Sequence, residues 1–384
     1  MPNIRFARVC SGFAFLFAVL LSAGASAAAK TWSGAGADAN WSTAANWSPA
    51  GAPVAGDDLI FPNGAARLAN NNDTAAGTSY ASISFTGPNP GYTLSGNAIQ
   101  LSAGMTATNA ATNLINFPIT LAASQNFMIT GDRVQFVGAI NLNGNTLTLT
   151  TAASPTGVVE TFGIISGNGG LVSAGSGVVA LSGASSTFTG TTTVTGGTLS
   201  INGMDLGPSI VTVTAGTLQL SNGGIVGSTT MNGGALYLGG GGTNQHGTVN
   251  GLTMNFPSIL SLSMYSASNF AQLTVPGPLQ LNNPTLLTGW SFTSAAGNTF
   301  MIVNPMTSAG TFNGQPEGSH FTANGRRYGI TYVGGGSTHQ IILADDPIPA
   351  NPIPALGEGG LALLSLLLLV AGALWLRRAQ GRGR

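Results

Sequence analysis

The segment Gly197-Thr198-Leu199-Ser200-Ile201 recurs as Gly216-Thr217-Leu218-Gln219-Leu220 and again as Gly234-Ala235-Leu236-Tyr237-Leu238. Leu199, Leu218 and Leu236 therefore recur at a nearly constant spacing. A fixed period of about 20 residues marks a solenoid. One such strand cannot bury its apolar face alone. Stacked coils place Leu on Leu along an inner column, and each coil pairs the backbone groups that its neighbour leaves open. Charged residues make up only 6 % of the chain, against about 25 % in ordinary globular proteins. The geometry explains this: like charges stacked at ~4.8 Å repel, whereas Thr, Ser and Asn ladders hydrogen-bond. The 57 glycines suit corners, where tight turns need positive φ. Short alternating runs, such as Ala139-Ile140-Asn141-Leu142 before Asn143-Gly144, read as strand and turn. No convincing amphipathic helix occurs between the two ends. The expectation is an all-β β-solenoid. If Lys30 to Pro347 were mostly such rungs, about 12–16 coils would form a rod of roughly 60–75 Å.

Composition removes several function classes. The formal net charge is zero, but the basic residues gather at the two ends. Between Lys30 and Pro347 there are five cations and ten acids. With no basic stripe to neutralise phosphates, no nucleic-acid partner is expected. The single cysteine, Cys10, lies near the start of the chain, so the body has no disulfide. His246, His320 and His339 are far apart in sequence and make no zinc-site pattern. No cofactor or metal is expected.

The stretch Gly170-Leu171-Val172-Ser173-Ala174-Gly175-Ser176-Gly177-Val178-Val179-Ala180-Leu181-Ser182-Gly183 continues through Thr187-Phe188-Thr189-Gly190-Thr191-Thr192-Thr193-Val194 to Gly197-Thr198-Leu199. From Gly170 to Leu199 it resembles the autotransporter-associated β-strand repeat, with Ala174, Ser186 and Phe188 in place of that pattern's Lys, Asn and Tyr. The resemblance implies a right-handed parallel β-helix. Trp32-Ser33-Gly34, Asn40-Trp41-Ser42, Ala45-Asn46-Trp47 and Gly56-Asp57-Asp58 resemble the opening of such repeat proteins. Gly310-Thr311-Phe312-Asn313-Gly314 and Phe321-Thr322-Ala323-Asn324-Gly325 resemble their closing segment. Relatives often carry G-G-D-G-N-D in the closing strand. Here Gly334-Gly335-Gly336-Ser337-Thr338-His339-Gln340 lacks both acids, so no calcium is expected at that turn. The repeats are not followed by a stretch long enough for a membrane-embedded autotransporter barrel, so self-transport is not the expected route.

The two ends read as addresses. Arg5 and Arg8, the apolar run Phe13 to Leu21, and Ala25-Ser26-Ala27 form a secretory signal peptide over 1–27, cleaved after Ala27 or Ala29. At the other end, Pro347, Pro349, Pro352 and Pro354 stiffen a linker. An apolar segment, 359–376, is long enough to span a bilayer. Arg377 and Arg378 then stop transfer, and the positive-inside rule puts 377–384 in the cytoplasm. Ile353-Pro354-Ala355-Leu356-Gly357-Glu358-Gly359-Gly360 resembles the IPTL-CTERM sorting signal, a relative of PEP-CTERM. Ile353, Pro354, Leu356, Glu358 and Gly360 match its pattern. That likeness implies a Gram-negative exporter and two processing partners, signal peptidase and an exosortase-like transpeptidase. The expected organisation is a signal peptide over 1–27, an N-terminal cap with first coils over 28–105, and repeats over 106–309. Closing strands over 310–344, a linker with the sorting motif over 345–358, the transmembrane helix and the basic tail complete it.

Parallel β-helices also carry polysaccharide lyases and glycosidases, which need carboxylates at a set separation. Asp57-Asp58 is the best pair by position, but adjacent strand side chains face opposite ways, so turn or capping structure is expected. Asp132-Arg133 reads as a solvated pair, Asp345-Asp346 as solvated linker, and Arg326-Arg327 as a hairpin tip beside Asn324-Gly325. Trp32, Trp41 and Trp47 suit either a cap over the first coil or a sugar-stacking surface. The expectation is a non-enzymatic cell-surface or matrix protein, an adhesin or biofilm component acting with exopolysaccharide. The alternative is a polysaccharide-active enzyme or glycan-binding module on the same helix.

Overall fold

The computed structural model describes residues 27–346, except 89–90, 154–156, 184–185, 241–244 and 335–338. The signal peptide up to residue 26, the sorting motif, the 359–376 segment, Arg377 and Arg378 lie outside the described residues.

The described residues are all-β, a β-solenoid of about ten coils with almost no helix. Its helical turn is Ala44–Asn46. Eleven parallel strands stack into one sheet, from Ala69–Asn72 to Thr285–Trp290. The repeated leucines pair as the spacing predicts: Leu199 lies beside Leu218, Leu218 beside Leu236, and Leu236 beside Leu260. Two positions along, Ile201, Leu220, Leu238 and Leu262 stack in the same way. All are buried. Each such side chain contributes about 1.5–3 kcal/mol by leaving water.

A second sheet turns a corner, so the solenoid has three sides. The strand Ile99–Ala107 shows how. Its first part, Ile99 to Leu101, pairs with Ile119–Leu121. Its last part, Met105 to Ala107, pairs with Gln125–Ile129. Between them Gly104 adopts φ 105°, and a Cβ there would lie 2.3 Å from the Asn126 carbonyl oxygen. Only glycine turns this corner so close to the next coil.

Coil length varies. The steps from Ile201 to Leu220 and from Leu220 to Leu238 keep the short repeat, whereas those from Leu238 to Leu262 and from Leu262 to Thr288 are distinctly longer. Longer coils account for about ten turns rather than the expected 12–16. Ten steps at ~4.8 Å give a stack of about 50 Å. Rung stacking also ends before Pro347. The strands His320–Ala323, Arg326–Gly334 and Gln340–Asp345 pair antiparallel and fold over the last coil. Trp290 stacks on Tyr328 at 4.4 Å.

Candidate functional site

The three N-terminal tryptophans are interior. Trp32 and Trp41 are fully buried and Trp47 is nearly so. Trp32 and Trp41 each meet Trp47 edge-on, at 5.1 and 5.9 Å, and all three lie against Phe61. Their indole N–H groups donate to the Arg67 carbonyl, Asn70 Oδ1 and the Trp41 carbonyl, at 2.7, 2.7 and 2.8 Å. Asn40 bridges to Asn71, which extends this segment over the first strand of the eleven-stranded sheet. The rings fill and cover the first coil, and burial leaves no open face on which a sugar could stack.

The acidic candidates are dispersed. Asp57 is buried and accepts from the Ala28 and Val54 amides at 2.9 and 2.8 Å. Asp58 instead accepts from the Ser82 hydroxyl at 2.5 Å. The two carboxylates thus play different structural parts. Arg133 does not pair with Asp132, which corrects the pair expected from the sequence. It reaches the next coil, where its Nη1 lies 2.9 Å from Glu160, and Gln135 donates to the other Glu160 oxygen at 2.6 Å. His246 lies on the surface at the start of the strand His246–Asn255. His320 pairs with Asp346 at 2.9 Å. Among the described residues, no three His, Cys, Asp or Glu side chains gather as a metal site. The 335–338 part of the closing turn lies outside the described residues.

Asp345 requires a correction. It is not solvated linker but the last residue of the strand Gln340–Asp345, with its side chain fully buried. Arg326 grips it with two nitrogens, at 3.0 and 2.7 Å. The Ser294 hydroxyl donates to the same carboxylate and lies 2.6 Å from the Tyr328 hydroxyl. Burial alone would push the Asp345 carboxyl up, but the Arg326 and Ser294 bonds outweigh it and hold it below the usual aspartate value. Arg326 is therefore a latch across the closing hairpin. Asn324-Gly325, with positive φ at both residues, makes the hairpin turn beside it.

The most extended candidate surface has no counterpart among the sequence-based candidates. On the outside of the second sheet, Thr193, Thr212, Thr230 and Thr253 stand on successive coils in direct register, followed by Gln280. The same column continues the other way through Val172 and Thr148 to Asn126. The strands of this side, from Ile99–Ala107 to Gln272–Asn282, contain no Asp, Glu, Lys or Arg. The four threonines are half-buried, and among the described residues their hydroxyls have no hydrogen-bond partner. The neighbouring column differs. Thr195 and Thr214 donate to carbonyls of the preceding coil, and Asn232, Asn255 and Asn282 bond in a ladder at 2.8 Å per step.

Two shallow clefts open on this side. One, of about 370 Å³, lies among Ile210, Gly251, Pro278, Thr230 and Thr253. The other, of about 240 Å³, lies around Ser82, Gly104 and Asn126, farther along the same column. A glycine occupies a rung in each. No family model matches the chain, and no curated protein matches it.

Proposed function

We propose that this chain is an exported, non-enzymatic solenoid of a Gram-negative envelope, delivered to the cell surface or extracellular matrix as an adhesin or biofilm component. The observation that carries the reading is the order of segments in one chain. A leader pattern precedes the solenoid, and a proline linker, an apolar run and an arginine stop follow it. In this reading signal peptidase removes 1–27, and 359–376 spans the inner membrane with Arg377 and Arg378 inside. An exosortase-like transpeptidase then cuts near Ile353, Pro354, Leu356, Glu358 and Gly360. In this reading the coil is right-handed, as the resemblance of Gly170 to Leu199 to the autotransporter-associated β-strand repeat implies.

The dispersal of the carboxylates supports a structural role over a hydrolytic one. Asp57 is committed to backbone amides, Glu160 to Arg133, and Asp345 to Arg326. Glycoside hydrolysis needs two carboxyls facing one bond.

Fractionation of the host with intact-mass measurement tests the reading. The expected species begins near Ala28 or Lys30, ends near Leu356, and sits in the surface or matrix fraction. A full-length chain held in the inner membrane would overturn it.

A further inference from the structure

We propose that the threonine side of the solenoid is a docking track for one extended, neutral polysaccharide chain lying along the solenoid axis. This deepens the surface reading above and rests on it. Four observations lead to this ligand.

The first is charge. The strands from Ile99–Ala107 to Gln272–Asn282 contain no Asp, Glu, Lys or Arg, and the column meets a carboxylate only at its far end, where Asp58 is in register with Ser82, while the eleven-stranded sheet bears the Arg133–Glu160 pair. A uronate-rich or sulfated glycan would find no Lys or Arg on these strands and would meet Asp58 at one end, whereas a neutral one avoids that repulsion and desolvates little charge.

The second is the unused hydrogen-bonding capacity. Thr193, Thr212, Thr230 and Thr253 present hydroxyls that no protein group satisfies among the described residues. Each hydroxyl is both donor and acceptor, which suits sugar hydroxyls of either sense. If these groups were merely structural, they would resemble the next column, where Thr195 and Thr214 are tied to the backbone.

The third is periodicity. The rungs repeat every ~4.8 Å, close to the length of one hexose in an extended chain. Successive sugars therefore meet successive hydroxyls. Each contact is weak, but linked sugars raise one another's effective concentration.

The fourth is shape. The two clefts lie on one line along the axis, the line of Ser82, Gly104 and Asn126 at one end and of Thr230, Thr253 and Gln280 at the other. Ile210, 57 % exposed, and Pro278 wall the larger cleft and offer apolar contact to the C–H face of a sugar ring. A compact ligand would fill one cleft, whereas a linear polymer reaches both.

Gly251 gives a clean test. A Cβ built there lies 3.5 Å from the Ser228 hydroxyl and 3.7 Å from Pro278 Cδ, both ordinary contacts. The backbone at Gly251 therefore accepts a Cβ, and Gly251→Val adds two methyl groups from that point at the cleft wall. The full chain, solubilised in detergent, is run in native gels containing hydroxyethyl cellulose, galactomannan or alginate. Retardation by a neutral polymer is expected, with none by alginate. Gly251→Val and Thr230→Arg should each weaken it roughly tenfold, while Gln219→Arg on the other sheet leaves it unchanged. Melting temperatures of all variants verify folding.

Retardation by alginate alone, by no polymer, or equally by all variants would overturn the track. The surface reading fails separately, on fractionation. A matrix-located protein that neither neutral polymer retards sinks only the track. A retarded protein held full-length in the inner membrane sinks only the surface assignment.

Discussion

Asp345 shows how one buried charge organises an end of the molecule. Its carboxylate is fully enclosed, yet it receives two guanidinium N–H bonds and a hydroxyl. Replacing it with Asn leaves the Arg326 charge without its partner. Arg326 is 29 % exposed, so water offsets part of the loss. Asp345→Asn should cost about 2–3 kcal/mol, below the upper range for a fully buried pair. An unfolded aspartate titrates near about 3.9, and the folded carboxyl lies lower. The stability from this group is thus fully present above about pH 4 and is lost as pH falls through the folded value. Urea midpoints measured from neutral to acid pH should fall more steeply in the native chain than in Asp345→Asn. Parallel curves would mean that the latch does not titrate as described.

At the scale of the coil, stability depends on how closely neighbouring rungs approach. Gly190 sits at a corner where an added Cβ would lie 1.6 Å from the Gly169 carbonyl oxygen. Gly190→Ala must push two coils apart and disturb the backbone bonds between them. A loss of about 2–4 kcal/mol is expected, in the range of severe single substitutions. Gly314 faces open space, with nothing within 4 Å of an added Cβ. Its φ of 69° makes Gly314→Ala a local strain of about 1 kcal/mol instead. Thermal melts of the two variants compare the terms directly, and equal losses would contradict the close-approach account.

Over the whole molecule, each coil touches only its neighbours, so the ends decide whether the rod stays single. At the start, Trp41 packs on Trp47, Phe61, Tyr80 and Phe117, with ring centres 5.9, 5.9, 5.8 and 5.7 Å away. Trp41→Ala should cost about 3–5 kcal/mol and lower the melting temperature. It should also loosen the segment over the first strand and so promote end-to-end association, visible by light scattering as protein concentration rises. Glycan retardation should survive this substitution below its melting point, because the tryptophans are buried inside the first coil and line neither cleft. Its loss in a folded Trp41→Ala protein would return the sugar site to the aromatic end.

The amino-acid sequence alone determined that the body stacks as strands. Leu199, Leu218 and Leu236 repeat because each must lie on the next, and that requirement is local to one strand type. It also determined that the coils carry little charge, since stacking penalises it. The threonine track was legible only in part. The step from Thr230 to Thr253 is longer than those from Thr193 to Thr212 and from Thr212 to Thr230, because loops of different length intervene. Thr193, Thr212 and Thr230 keep the spacing of Leu199, Leu218 and Leu236, whereas only backbone pairing brings Thr253 and Gln280 into line with them. Asp345 was misread for a related reason. Pro347 beside it suggests a linker, while its partner Arg326 is delivered by an antiparallel return that no repeat announces. Tertiary structure alone decided which polar groups are spent inside the fold and which face outward unpaired, because that depends on register between coils rather than order along the chain.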